Sequence, residues 1–162
     1  MNLLINEQIT LALFDASRLL REAFEHTYRD MKLSWPQIRI MGRLYAQEDI
    51  TQSEVGTQLE MDPMTISRQI DRLVDLGFVE RRTEARDRRL RKLYLTPQAR
   101  ELREEIMNRG QNVLKQALKG FDEDQQTAIL SKLMTIADNL SEPGPYSAPN
   151  AARLQYGDKK PA

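Results

Sequence analysis

The stretch MDPMTISRQIDRLVDLGFVERRTEARDRRLRKLYLT, residues 61–96, places a well-capped helix directly before two short strands. Asp62 is a preferred helix N-cap, and Pro63 suits the first helical position, where its missing N–H costs nothing. Gly77 suits the left-handed position that follows a helix. The spacing therefore predicts a helix from Pro63 to Leu76.

The residues after this helix alternate as in a β-hairpin. FVERR (78–82) and RKLYL (91–95) are predicted strands, joined by a loop from Thr83 to Leu90. This region concentrates basic side chains in a chain whose 24 lysines and arginines are balanced by 24 aspartates and glutamates. The distribution of charge, and not only its sum, determines how a protein attracts charged partners over long range. The basic loop can therefore indicate a partner even though the net charge is zero.

A second capped helix precedes the first. Thr51 and Glu54 have the spacing of a capping box, which predicts a short helix from Gln52 to about Leu59. Two short helices with a tight turn, followed at once by a basic hairpin, are the layout of a winged helix-turn-helix, in which the second helix enters the major groove. The hairpin tip would then be a wing that reaches phosphates or the minor groove.

The predicted recognition helix has two distinct faces on a helical wheel. Ile66, Ile70, Leu73 and Val74 fall on the side expected to pack inward, and Met64, Thr65, Arg68 and Arg72 fall on the opposite side. Arg68 suits a bidentate pair with guanine, Thr65 and Met64 suit a thymine methyl group, and Ser67 and Arg72 suit phosphate or flanking contacts. Asp71 and Asp75 would repel phosphates, so we expect this end of the helix to be lifted from DNA or paired with arginines.

Apolar residues at helical spacing flank this region on both sides. They predict a long helix from Asn6 to about Asp30 with a broad apolar face, a helix from Ser34 to about Ala46, a helix from Thr96 to Gly120 and a last helix from Asp122 to Leu140. The broad first helix makes subunit association plausible. The Pro- and Ala-rich residues 141–162 are predicted to form a mobile tail. The predicted fold class is mainly α with a small β-hairpin wing.

Composition excludes several classes of function. Without cysteine, disulfides, zinc-thiolate sites and thiol switches are impossible, and with His26 as the single histidine no multi-histidine metal site can form. No catalytic triad, metal-ligand cluster or Gly-rich phosphate loop is present, so neither an enzyme nor a cofactor is expected. The chain has no apolar run long enough to span a membrane and no secretory leader pattern at its start, which predicts a cytoplasmic protein.

The run TQSEVGTQLEMDPMTISRQIDRLVDLGFVERRTEARDRRLRKLYLTPQAR, residues 51–100, resembles the MarR family of winged helix-turn-helix regulators. Its most specific feature is the Asp-x-Arg of the wing followed by Leu-Thr, here Asp87, Arg88 and Arg89 and then Leu95-Thr96. The resemblance extends over about residues 6–140. Ala99 stands where the family often has Gly, a change expected to leave the helix intact.

The resemblance implies a homodimer that binds a pseudo-palindromic operator in double-stranded DNA. Residues 1–33 would form an N-terminal dimerisation helix, 34–96 the DNA-binding lobe and 97–140 the C-terminal dimerisation helices. Arg89 would enter the minor groove, with Asp87 fixing its geometry; the alternative for Asp87 is a turn residue without an electrostatic role. The predicted DNA contacts are Ser53, Pro63, Met64, Thr65, Ser67, Arg68, Arg72, Arg86, Asp87, Arg88 and Arg89.

The resemblance also implies a repressor that is released from DNA by a small aromatic acid or phenolic effector, bound between the dimerisation helices and the DNA-binding lobe. Arg18, Arg21, His26 and Trp35 are the candidate effector residues, because they lie on or beside helices that flank this crevice. A lone His or Trp is more often structural, which is the alternative for these two. The other functional readings are a helical protein-interaction module and a nonspecific DNA-binding protein. Steep salt dependence of binding would favour a regulator that contacts several phosphates.

Overall fold

The computed structural model of the protein describes residues 4–84 and 90–141. The elements in chain order are α1 (Ile5–Thr27), α2 (Trp35–Ala46), β1 (Ile50–Thr51), α3 (Gln52–Leu59), α4 (Pro63–Asp75), β2 (Val79–Thr83), β3 (Arg91–Leu95), α5 (Pro97–Glu101), α6 (Arg103–Ala117) and α7 (Glu123–Ser141). The predicted fold class is confirmed: a mainly helical chain carries a small antiparallel sheet, whose hairpin follows the helix-turn-helix directly.

Local capping interactions determine the two helices of the helix-turn-helix. The Glu54 carboxylate accepts the Thr51 N–H at 2.7 Å, and the Thr51 hydroxyl accepts the Glu54 N–H at 3.2 Å, so the predicted capping box forms. Helix α3 ends at Leu59, and its C-cap Glu60 adopts the left-handed conformation with φ of 53°. This residue turns the chain into α4 within three positions.

The C-terminus of α4 is a Schellman motif, as predicted. The Phe78 N–H donates to the Leu73 carbonyl at 2.9 Å, and the Gly77 N–H donates to the Val74 carbonyl at 2.9 Å. Gly77 has φ of 75°, a conformation that costs glycine little. The motif stops the helix at Asp75 with Leu76 as its C-cap and directs the chain into β2.

The sheet has three strands, and the prediction of a hairpin alone was therefore incomplete. The strand order is β1-β3-β2, all antiparallel, with Ile50 paired to Leu93 and Arg81 paired to Leu93 on its other side. A strand of two residues has no alternating pattern to detect, and its partner lies about 40 residues away in the sequence, so only the folded structure reveals it.

The main core lies between α2, α3, α4 and the inner face of the sheet. Its fully buried side chains are Ile40, Met41, Leu44, Val55, Ile66, Ile70, Leu73, Val79, Leu93 and Leu95. Phe24 of α1 and Tyr28, which caps α1, lie with Ile106 and Val113 of α6 at the other end of the same core cluster. This second contact connects the N-terminal helix α1 to α6.

Two predicted helix boundaries were wrong. The predicted helix from Thr96 to Gly120 is divided at Leu102, whose φ of −77° and ψ of −8° interrupt the regular α-helix while its side chain packs against the core. Helix α1 ends at Thr27 rather than near Asp30, and Tyr28 caps it with a side chain that is buried. In both places tertiary packing overrides a continuous helical pattern.

Candidate nucleic-acid interface

The two faces of α4 match the predicted wheel. Ile66, Ile70 and Leu73 are buried against the lobe core, and Val74 is half-buried. Met64 is 72% exposed, which excludes a core role for this methionine. Arg68 and Arg72 are also exposed, and Thr65 and Ser67 are half-buried between the two faces. The outward face therefore presents a methyl group, two hydroxyls and two guanidinium groups.

The first turn of α4 is held by its N-cap. The Asp62 carboxylate accepts the backbone N–H groups of Met64 at 3.1 Å and Thr65 at 2.9 Å. Hydrogen bonds from the side chain and backbone of Thr65, and then from the Met64 N–H, hold the pKa of Asp62 below its ordinary value. The turn that presents Met64 and Thr65 is thereby ordered before any partner binds.

Ser53 and Pro63, both predicted DNA contacts, meet at the mouth of a groove between α3 and α4. The groove has a volume of about 430 Å³ and is lined by Gln52, Ser53, Gly56, Thr57, Glu60, Met61, Pro63 and Ile66. Gly56 lets the helices approach closely, because a Cβ there would lie 3.3 Å from the Cγ2 of Ile66. The end of α3 and the start of α4 therefore lie close together and form the two sides of one groove.

Most cations of the wing strands are already paired with carboxylates. Arg81 Nη2 lies 2.6 Å from Asp71 Oδ1, and Arg82 pairs with Glu80 on the same strand. Lys92 Nζ lies 3.1 Å from Asp49 and 3.0 Å from Glu84. These pairs balance the charge of the sheet itself.

Three arginines of this region differ from these paired cations. Arg68 and Arg72 on α4 and Arg91 at the start of β3 are exposed and have no ion-pair partner within residues 4–84 and 90–141. Arg91 lies on the same face of β3 as the buried Leu93, since side chains alternate along a strand. Arg91 belongs to the basic region of the sequence but was not among the predicted DNA contacts. The alternation of side chains along the strand was the signal in the sequence that could have assigned Arg91 to the same face as Leu93.

The conflict raised by Asp71 is resolved by pairing, which was one of the two expected outcomes. Arg81 reaches it from β2, and the same Nη2 atom donates to the Gln52 side-chain oxygen at 3.3 Å. Asp75 is exposed at the last helical position of α4, away from the first turn.

The tip of the wing, including Arg86, Asp87, Arg88 and Arg89, lies outside the residues that the structure describes. Its base is closed by the Glu84 N–H, which donates to the Leu90 carbonyl at 3.0 Å. The predicted tail after residue 141 also lies outside the described ranges. The roles given to these residues remain predictions.

The structure does not bring the four candidate effector residues together. Arg18 pairs with Asp15 at 3.3 Å and with Glu22 at 2.9 Å, and Arg21 is exposed on the same helix. Trp35 stacks on Phe24 with ring centroids 4.1 Å apart, so its ring already has an aromatic partner within the chain. A structural role therefore accounts for Trp35.

His26 lies in an open cleft between α1 and α6 with a volume of about 630 Å³. The cleft is lined by His26, Thr27, Arg29, Asp30, Arg109, Asn112, Val113 and Gln116. Arg109 is held by Asp30 at 2.7 Å and Glu105 at 2.6 Å, and it donates to the Thr27 carbonyl at 2.9 Å. Its guanidinium lowers the pKa of the Asp30 carboxyl by hydrogen bonding. The cleft therefore offers amide, imidazole and apolar surface, and of its two arginines Arg109 is already paired with carboxylates.

The described residues meet neither the requirements of a metal site nor those of a membrane-spanning helix. Across residues 4–84 and 90–141, no three potential metal-ligating side chains converge on one point. Within the same ranges no helix combines the length and apolar character required to cross a bilayer.

Comparison with known proteins agrees with this arrangement. A model of the MarR family matches residues 33–90, from the start of α2 to the wing. MgrA of Staphylococcus aureus, an HTH-type transcriptional regulator, is 22% identical over 140 residues, which are 85% of this chain and 95% of that protein. A mutant MarR from E. coli, complexed with operator DNA, superposes with a TM-score of 0.73 at 22% identity, covering 83% of this chain and 99% of that one. BpsR of Bordetella bronchiseptica, whose DNA binding is regulated by 6-hydroxynicotinic acid, superposes with a TM-score of 0.74 at 24% identity, covering 85% and 99%.

A winged helix-turn-helix with exposed arginines on its recognition helix defines a DNA-binding protein of the transcription-regulator class. Over residues 33–90 the chain is similar to the MarR family. The proteins that it resembles are transcriptional regulators, and one of them is complexed with operator DNA.

Proposed function

We propose that the protein is a homodimeric repressor that reads a pseudo-palindromic operator and leaves it when a small aromatic or phenolic ligand binds. The observation that carries the proposal is the contrast between paired and unpaired arginines. Arg81 and Arg82 are neutralised by carboxylates, whereas Arg68 and Arg72 on the outward face of α4 are not. Unpaired guanidinium groups on a major-groove helix are suited to guanine edges and phosphates.

Each exposed residue then has a distinct role. Arg68 pairs with a guanine, and Thr65 with Met64 contacts a thymine methyl group. Ser53, Pro63, Ser67, Arg72 and Arg91 flank these contacts along the phosphate backbone. In the wing, Arg89 enters the minor groove with Asp87 holding its guanidinium, and Arg86 and Arg88 lie against the neighbouring phosphates.

The exposed apolar faces of the terminal helices support a dimer. The exposed apolar residues are Ile5, Ile9, Leu11, Phe14 and Leu19 in α1, and Met107, Leu114, Leu118, Phe121, Leu130, Leu133, Met134 and Leu140 in α6, α7 and their connection. Apolar patches of this kind on a protein surface mark interaction sites. Residues 1–33 and 97–140 would therefore pair with a second copy, and residues 34–96 would be free to bind DNA.

The oligomeric state is measured by light scattering on the purified protein. We expect a dimer for the wild type and a shift toward monomer for Leu133→Glu, because the new carboxylate would be buried at the interface. Ser131→Glu adds the same charge to the same helix at an exposed polar position and is the matched control. A wild-type monomer at micromolar concentration would exclude the dimeric proposal.

Operator recognition is tested by selection from random-sequence DNA near physiological salt. We expect a two-fold symmetric motif with half-sites about 10 base pairs apart, because two recognition helices of a dimer enter successive major grooves. Failure to enrich any motif would favour a nonspecific DNA-binding protein. Repression itself is tested by placing the selected motif over a reporter promoter, where expression of the protein should lower transcription.

The cleft beside His26 is the proposed effector site, since it lies between a terminal helix and the helix that follows the wing. A hydroxylated aromatic acid that regulates DNA binding of the Bordetella protein supports this ligand class. A ligand that favours one lobe spacing would lower affinity for the operator without unfolding the protein. We expect 6-hydroxynicotinic acid or 4-hydroxybenzoate to release the operator complex, and His26→Ala to weaken that response. Release that is unaffected by the substitution would place the site elsewhere.

A further inference from the structure

The outward side of α4 carries charges that cancel. Arg68 and Arg72 contribute two positive charges, and Asp71 and Asp75 contribute two negative charges, so the formal sum on this side is zero. A recognition helix that approaches phosphates gains nothing from a neutral surface, because a carboxylate near the backbone opposes counterion release and binding. Some neighbouring group has to make this surface cationic.

Arg81 supplies that charge from a different element. It lies in β2 opposite Leu93, on the inner face of the sheet, and its Nη2 atom is 2.6 Å from Asp71 Oδ1. The side chain of Arg81 is only 23% exposed, whereas that of Asp71 is 58% exposed. The same Nη2 atom donates to Gln52 Oε1 at 3.3 Å, at the first position of α3. One guanidinium thus joins the wing strand to both helices of the helix-turn-helix.

We propose that Arg81 is a positioning residue that neutralises Asp71 and so makes the recognition helix cationic, without contacting DNA itself. This inference rests on the proposed approach of α4 to DNA. With Asp71 neutralised, the same sum over the outward side of α4 becomes two positive charges and one negative charge. Arg68 and Arg72 then face phosphates and bases, and the carboxylate of Asp71, which lies between them in the sequence, no longer offsets their charge.

The geometry argues against a direct phosphate contact by Arg81. Its side chain is mostly covered by the sheet and α4, and its guanidinium already binds a carboxylate and an amide oxygen. Arg82, the next residue, points to the opposite face of the same strand and pairs with Glu80. Removal of either arginine changes the net charge by the same amount, but only Arg81 leaves a carboxylate unpaired on α4.

The experiment measures affinity for the selected operator, and its salt dependence, for Arg81→Met, Asp71→Asn, the double variant and Arg82→Met as the matched control. We expect Arg81→Met to weaken binding about tenfold, because the unpaired carboxylate repels nearby phosphates. Asp71→Asn alone should bind at least as tightly as the wild type. The double variant should return to within about threefold of the wild type, and Arg82→Met should change affinity by less than about threefold.

Two results would overturn the inference. If the double variant binds as weakly as Arg81→Met, and both lose about one unit of salt slope, Arg81 contacts a phosphate directly. If Arg81→Met and Arg82→Met weaken binding equally, Asp71 is irrelevant to DNA affinity. Circular dichroism first establishes that each variant folds; should Arg81→Met unfold, Arg81→Gln removes the charge while keeping a polar group beside Gln52. A wild type that selects no operator would refute the proposed function as well, whereas an operator bound without rescue by Asp71→Asn refutes only the role of Arg81.

Discussion

Gly110 of α6 lies against Tyr28, the residue that caps α1, and its replacement by alanine is predicted to destabilise the protein. A Cβ at this position would lie 2.9 Å from the hydroxyl oxygen of Tyr28. Tyr28 is 1% exposed, and its hydroxyl donates to the Ile106 carbonyl at 2.8 Å. A rigid, buried ring that is fixed at its far end cannot move aside without losing this hydrogen bond.

The sign of the effect depends on two opposed contributions. Glycine in a helix interior is about 1 kcal/mol less favourable than alanine, so Gly110→Ala gains that amount from propensity. Displacing the Tyr28 hydroxyl leaves a buried polar group unsatisfied, which costs about 1–3 kcal/mol, and overpacking costs a similar amount. We expect a net loss of about 2 kcal/mol in the free energy of unfolding, or a fall in Tm of roughly 6 °C for a chain of this size.

Urea denaturation at one fixed protein concentration measures the difference, since the stability of an oligomer depends on concentration. Gly42→Ala in α2 is the matched control, because a Cβ there would meet no atom within 4 Å. That variant should be more stable than the wild type by about 0.5–1 kcal/mol. In a Tyr28→Phe background the penalty of Gly110→Ala should largely disappear. If Gly110→Ala were as stable as Gly42→Ala, the close approach would not constrain the fold.

Three further predictions concern DNA binding and the pH dependence of folding stability. Arg68→Ala should weaken operator binding by about 1–3 kcal/mol and relax preference at one base position; an unchanged selected motif would remove Arg68 from base recognition. Arg89→Ala should weaken binding to all DNA sequences and reduce the salt slope by about one unit, and an unaltered slope would place this residue away from the DNA backbone. Asp62→Asn keeps a capping acceptor but removes a carboxylate whose pKa is lowered in the folded protein. The wild type should therefore be more stable than this variant at neutral pH, and the advantage should vanish as the pH falls from about 4 through the lowered pKa. A stability difference that stays constant with pH would contradict this assignment.

Short-range signals in the sequence predicted the helix-turn-helix closely. Thr51 with Glu54 located α3, and Asp62 with Gly77 located α4, because each cap is satisfied by backbone groups only two to five residues away. The outward position of Met64 followed from helical spacing alone. Such features are determined before any long-range contact forms.

The positions of the candidate site residues relative to one another could not be predicted in the same way. Trp35 and His26 were grouped because both lie near the expected crevice, but Trp35 stacks on Phe24 whereas His26 lines the cleft with Arg109. Arg81 was one of several arginines that could have paired with Asp71. The register of β2 against β3 selects it, and that register depends on the whole lobe.

By itself, the sequence determined the order of helices, the capped recognition helix with its two faces, and the MarR resemblance carried by the wing, since propensity, capping and periodicity act over a few residues. The tertiary structure decided which arginines are paired with carboxylates and which are left to contact a partner. It added β1 to the sheet, paired Arg81 with Asp71 across elements, and left Arg68, Arg72 and Arg91 without ion-pair partners in the part of the chain that it describes. An ion pair requires its atoms within about 4 Å, and that proximity arises only when distant segments pack together.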